Sequence, residues 1–330
     1  MDLICTIIAH TLSYRSKQYL FRLIKISIVL AALYFIYQKI VHNNTLHFSE
    51  FYNILSENNA FSVKTLSFLL ILSTINWLIE LFKWQLLLRP FKNISLKQAC
   101  EQCLGSLTAS LITPNRIGEY GAKAMYYEAS FRKHIVAINF INNILQLAVT
   151  TIIGLIGLFW FYRSFDTPLN LEHLAIYSTI LVLVLSFIGW FILKGNFKFK
   201  QVSIKKLRRF FKRFPKKTLY YGFGLSLLRY AVFSFQFYFL LQIFQIHLPY
   251  FEAISVIASM YLIASIIPSI TLFDGLIKGS VSVYLFAFVG AHELIVLSIT
   301  MVMWMLNFMI PSLIGCFYVL NFKHSNKIDS

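Results

Sequence analysis

Acidic residues are scarce in this chain. Thirteen Asp and Glu stand against 30 Lys and Arg, and charged residues of both signs make up only 13% of the 330 positions. Ordinary globular domains carry about 25%. A net charge of +17 on so few charges excludes a nucleic-acid binder, which needs basic residues along a whole face. Cysteine is also rare: Cys5, Cys100, Cys103 and Cys316 lie in or beside apolar segments, which excludes a disulfide scaffold. The C-x-x-C of Cys100 and Cys103 has no second pair and no nearby His, so it reads as two small residues on one helix face rather than a zinc site. Residues 1–13 hold Asp2 and no Lys or Arg, and so lack the basic start of a signal peptide. No phosphate loop, nucleophile–base set or metal cluster is legible, and no cofactor is expected.

Apolar side chains are abundant. Hydrophobic residues make up 58%, with 33 Phe, 18 Tyr and 5 Trp, and the mean hydropathy is +0.68. This composition predicts an all-α polytopic membrane protein forming a single transmembrane domain over 1–330. Six full spans are expected, at about 21–41, 65–88, 135–161, 174–193, 218–246 and 293–320. Two further stretches, 96–130 and 251–289, each hold two shorter apolar segments around a proline, Pro114 or Pro268. Segments broken in this way suggest half-helices or re-entrant hairpins.

The distribution of basic residues sets an expected orientation. Arg15, Lys17, Arg22 and Lys25 precede the first span, whereas 42–63 holds Glu50 and Glu57 and no Lys or Arg and is expected outside. Arg89, Lys92, Lys97, Arg132 and Lys133 fall on the same side as the N-terminus, as does the acid-free linker 194–217 with its 11 basic residues. Both termini are therefore expected in the cytoplasm. The linker is expected to meet anionic lipid headgroups, its Phe210, Phe211 and Phe214 forming an amphipathic helix on the leaflet. The two interrupted stretches look related. Pro114, Glu119 and Lys123 recur as Pro268, Asp274 and Lys278 at offsets of 154, 155 and 155 residues. Halves at 65–161 and 218–320 that enter from opposite sides would form an inverted repeat.

Ionisable residues inside a membrane are costly and point to function. The densest set runs from Pro114 through Asn115, Arg116, Gly118 and Glu119 to Lys123. Arg116 offers a planar fork suited to phosphate and Lys123 a point charge. Glu119 could hold Arg116 or carry a proton. Asp274 and Lys278 form a second set four residues apart. Arg229 stands alone among apolar residues in the fifth span. Glu80 and Lys83 lie near the end of the second, where Lys83 is expected to snorkel to the surface.

Thr113-Pro-Asn-Arg-Ile-Gly-Glu119 resembles the Pro-Gly-Arg-apolar-Gly-Glu signature of the lysylphosphatidylglycerol synthetase transmembrane region, the flippase-like membrane proteins. Lys83 and Trp84 resemble that family's basic-Trp motif, and Pro268 to Lys278, with Gly275 after Asp274, sits at its second Pro/Gly-rich motif. Asn115 replaces the expected Gly, and 269–273 lacks the expected glycines. The resemblance implies a multi-pass protein of the bacterial cytoplasmic membrane that moves a phospholipid or another anionic lipid-linked substrate. The charges inside or beside the spans, Arg116, Glu119, Lys123, Arg229, Asp274 and Lys278, are the expected substrate-binding residues. The family's soluble synthetase segment is not among the 330 residues, so lysine transfer is not expected. A lipid-modifying enzyme or accessory subunit working with a separate partner is the alternative.

Overall fold

The computed structural model describes residues 62–111, 113, 116–165, 210–211, 213–267 and 278–322. It also describes the backbone alone of 198–199, 202–203 and 271–277, and a few positions between 23 and 56. The expected span at 174–193, most of that at 21–41, Pro114, Asn115, Pro268 and the side chain of Asp274 lie outside the described residues.

Helix α1 spans Val63–Leu88, opened by Ser62, whose side chain accepts from the Thr65 N–H. Helix α2 spans Leu96–Ser110 and starts in a capping box, Ser95 and Gln98 each bonding the other's backbone N–H. After the first break come α3, Gly118–Met125, and α4, Ala129–Ser164. A two-rung antiparallel ladder pairs β1, Lys198–Phe199, with β2, Val202–Ser203. Helix α5 spans Lys216–Ile243 and α6 Tyr250–Ile266, each directly after a proline (Pro215, Pro249). Across the second break lies α7, Thr271–Ala287. The last span is α8, Glu293–Trp304, a π-helical turn, Met305–Met309, and α9, Ile310–Asn321. Four stretches are long and apolar enough to cross a membrane: α1, α4, α5 and the run from Glu293 to Asn321.

The order long, short, short, long therefore occurs twice among these helices, and the packing respects it. Helices α1 and α5 run antiparallel: Gln236 bonds the Leu69 carbonyl, Arg229 bonds Asn76, and Gly222 lies against Leu87. Helix α4 clasps α6, and α9 clasps α2, both pairs antiparallel. A Cβ on Gly154 or Gly157 would come within 2.5 Å of Leu262 or Ala258 on α6. One on Gly315 would overlap the Leu104 carbonyl and the Thr108 hydroxyl on α2. Glycine lets these backbones approach in both clasps. Exchanging the two units leaves this pairing unchanged.

The helix ends sort onto two faces. The end of α1, the starts of α2, α4 and α5, and Phe214 share one buried cluster, with Phe210 and Phe211 packed against it. Tyr126 after α3 stacks edge-on against Phe322 after α9, and the Lys25 ammonium bonds the carbonyls of Leu320 and Phe322. At the other end, Phe161 of α4 meets Phe288 beyond α7, and Tyr238 of α5 meets Tyr250 of α6. Helix α2 thus departs from the face that carries Arg89, Lys92, Arg132 and Lys133, and α6 departs from the opposite one.

Three expectations change. Phe210 stacks on Phe91 at 5.2 Å, and Phe214 is 3% exposed, so these rings pack into the protein rather than lie on a leaflet. Lys83 does not snorkel: it is fully buried and ion-paired with Glu80. Helix α4 starts six residues before the expected boundary at 135. Its first turns carry Arg132, Lys133 and His134, which hydropathy excludes although Arg132 and His134 are held locally, by the Tyr127 carbonyl and the Phe131 ring.

Candidate functional site

Both helix breaks open onto one cavity of ≈ 640 Å³. The first break contributes Arg116, and the second contributes Ile266 and Ile267 at the end of α6 and Lys278 on α7. Helix α1 adds Asn76, α4 adds Gln146 and Thr150, α5 adds Arg229 and Tyr230, and the last span adds Asn307 and Phe308. Three cations face this space, and no carboxylate is among its described lining residues.

The first break is built by Thr113 and Gly118. The Thr113 hydroxyl donates to the Ser110 carbonyl and accepts from the Gly118 N–H at 2.9 Å. A Cβ at Gly118 would stand 2.8 Å from the Thr113 methyl, so only glycine fits there. Between them Arg116 takes φ 56, a left-handed conformation that costs a residue with a Cβ about 1 kcal/mol. Its guanidinium bonds Glu119 at 3.1 Å, approaches the Phe308 ring at 6.0 Å and stays 41% exposed to the cavity. Helix α3 then returns beside α2: the Tyr126 hydroxyl donates to the Glu101 carbonyl and the Tyr127 hydroxyl to Gln102.

Two buried carboxylates stand behind the cavity. Glu119 bonds Arg116 on one side and the Lys123 ammonium at 2.8 Å on the other. Lys123 also donates to Asn139 of α4 and lies 4.2 Å over the Trp84 ring, a cation–π contact in a desolvated setting. The Trp84 indole donates in turn to Gln102 of α2. Glu80 takes Arg229 at 3.0 Å, Lys83 at 2.9 Å and the Asn142 amide at 2.8 Å. Three helices, α1, α4 and α5, are thereby fastened at one carboxylate. Arg229 bonds Asn76 as well and is 23% exposed on the cavity side. Four cations against two carboxylates leave these clusters at +2.

The π turn supplies the remaining wall. Pro311 has no N–H to give the carbonyl four residues back. That carbonyl, of Asn307, accepts instead from the Trp77 indole at 3.1 Å, while the Leu306 carbonyl accepts from Ser73. The Asn307 side chain bonds Asn76 and Gln236 at 2.9 and 2.8 Å. A π turn commonly marks a functional position, and this one joins the last span to α1 and α5 at the level of the cavity.

Of the sequence-predicted residues, Arg116, Arg229 and Lys278 line the cavity, and Glu119, Lys123, Glu80, Lys83 and Trp84 form the clusters behind the two arginines. Gly118 shapes the first break, and Gly275 falls on α7, where the backbone alone is described. Sequence reasoning missed the amides. Asn139, Asn142, Gln146 and Thr150 lie three to four residues apart on α4, a polar stripe at helical period that Asn143 adjoins. Asn143 donates to the Tyr120 hydroxyl at 3.0 Å. Asn76, Gln236 and Asn307 are isolated polar residues in apolar helices. Each carries the same signal as an intramembrane charge.

Comparison with curated proteins and with solved structures found no match. Residues 22–315 match the family described as the lysylphosphatidylglycerol synthase TM region. With four apolar helices of membrane-spanning length and a match across most of its residues, this chain is a multi-pass membrane protein and belongs to the lysylphosphatidylglycerol synthase TM region family.

Proposed function

We propose that the protein carries an anionic lipid or lipid-linked headgroup across the cytoplasmic membrane of a bacterium. The observation that carries this reading is the convergence of Arg116, Arg229 and Lys278, from both helix breaks and α5, on one cavity whose described lining holds no carboxylate. Guanidinium groups suit phosphate geometry, and their carboxylate partners lie on the far side, which leaves the cavity side for a ligand. In this reading the units 65–161 and 218–320 form an inverted repeat. The reading is supported by antiparallel α1 and α5, by α2 and α6 departing from opposite faces, and by the exchangeable clasps. The two hairpins are re-entrant and alternate in exposing the cavity. The termini and the linker 194–217 lie on the cytoplasmic side, where its basic residues meet anionic headgroups. Asp274 completes the second half-site with Lys278.

The test is translocation in vesicles. The purified chain is reconstituted with acyl-labelled phosphatidylglycerol, and loss of the label from the inner leaflet is followed. Arg229→Gln and Arg116→Gln are expected to slow translocation by at least tenfold each. Rates equal to the parent's for both variants would refute the site.

A further inference from the structure

A chain of three side-chain amides ends on Arg229, and all its hydrogen bonds run in one direction. Arg229 Nε donates to Asn76 Oδ1 at 3.1 Å, and Asn76 Nδ2 donates to Asn307 Oδ1 at 2.9 Å. Asn307 Nδ2 donates to Gln236 Oε1 at 2.8 Å, and Gln236 Nε2 to the Leu69 carbonyl at 3.1 Å. The two ends fix every orientation between them. An arginine can only donate, so Asn76 turns its oxygen towards it. A carbonyl can only accept, so Gln236 turns its nitrogen there. Asn307 is pinned a second time, because the same nitrogen donates to the Met303 carbonyl at 3.2 Å. Flipping any one of these amides would set donor against donor and acceptor against acceptor.

The chain joins three elements. Arg229 and Gln236 lie about two turns apart on α5, and Leu69 and Asn76 about two turns apart on the antiparallel α1. Asn307 reaches both helices from the π turn of the last span. Arg229 is thereby held on two nitrogens, Nε by Asn76 and Nη1 by Glu80. Two bonds in different directions fix the plane of the guanidinium and leave Nη2 uncommitted among the described residues. Asn307 borders the cavity as well. Its nitrogen already gives to two acceptors, as many as it has N–H groups, so it has none to offer a phosphate. Resting on the proposed translocation, we infer that Asn307 is a positioning residue: through Asn76 it sets the guanidinium of Arg229 for the phosphate of the anionic lipid. A polar side chain in the apolar last span is thus explained by the cation it orients.

The test uses the same vesicles with labelled phosphatidylglycerol at several mole fractions, so that half-saturation and maximal rate are read apart. Asn307→Leu keeps the size of the side chain and removes its hydrogen bonds. It is expected to raise the half-saturating mole fraction about tenfold, the weight of one hydrogen bond to a charged group. The maximal rate should stay within about twofold of the parent's, and in the Arg229→Gln background the same substitution should shift neither quantity by more than about twofold, because the group it acts through is gone. Losses of equal size in both backgrounds, a fall in the maximal rate alone, or no change from the parent would overturn the inference and leave translocation standing. If Asn307→Leu does not yield folded protein, Asn76→Leu breaks the chain one link nearer Arg229 and reads the same dependence on Arg229. If the parent moves no lipid, translocation is what fails. Native mass spectrometry of phosphatidylglycerol retained by the parent, both single variants and the double variant then reads the inference separately. Weaker retention in Asn307→Leu that vanishes in the Arg229→Gln background supports it, and equal weakening in both backgrounds, or none, overturns it.

Discussion

Glu80→Gln removes the charge at which α1, α4 and α5 meet while keeping the shape of the side chain. Glu80 pairs with Lys83 at 2.9 Å and with Arg229 at 3.0 Å, and the Lys83 side chain is 0% exposed. Removing one partner of a buried pair leaves an uncompensated charge, at a cost of about 3–5 kcal/mol. Arg229 is partly open to the cavity and can recruit water, so most of that cost falls on Lys83. Replacing the lysine as well removes the orphaned charge. Glu80→Gln/Lys83→Met is therefore expected to recover about 2 kcal/mol or more of the single variant's loss. Denaturant unfolding of the detergent-solubilised protein, run on the parent, both single variants and the double variant, gives the coupling directly. A Glu80→Gln loss below about 1 kcal/mol, or losses that simply add in the double variant, would refute the account of Glu80 as the counter-ion of a buried lysine.

Other outcomes follow from single contacts. Gly315→Ala forces a methyl group into the Leu104 carbonyl and the Thr108 hydroxyl; a loss of about 1–3 kcal/mol is expected in the same unfolding assay. Arg116→Gly and Arg116→Ala both delete the guanidinium, but only glycine relieves the backbone at φ 56. The glycine variant should be the more stable by about 1 kcal/mol, while both fail equally in vesicle translocation. Pro311→Ala restores an N–H that can reach the Asn307 carbonyl, in competition with the Trp77 indole. Slower translocation without loss of thermal stability is expected, and an unchanged rate would dissociate the π turn from function.

The sequence revealed the four long spans among the described residues because some twenty largely apolar residues in a row have few other fates. It also revealed both interruptions, since a proline and an acid between apolar segments break a span visibly. Arg116 and Arg229 stood out for the same reason: a charge inside a hydrophobic stretch is conspicuous. Partnership was less legible. Lys83 looked free to reach the surface because it lies near the end of α1, and only the approach of α5 shows Glu80 held between it and Arg229. The stripe from Asn139 to Thr150 was readable at helical period. Which amide serves Glu80 and which serves Lys123 depends on the rotation of α4, which no local pattern states. The roles of Gly154, Gly157 and Gly315 needed partners about 100 residues or more away in sequence.

Pro311 has a consequence for the last span as a whole. By hydropathy the run from Glu293 to Asn321 is a plain crossing, 29 residues of high apolarity. As one continuous rod it would be about 43 Å long. The π turn at Met305–Met309 keeps the helix continuous and leaves a regular α-helix of 12 residues on either side of it, about 18 Å apiece. An element that looks simple in sequence thus carries a π turn at the depth of the cavity. A bend made there would change the height of the wall opposite Arg229 without moving either end of the span.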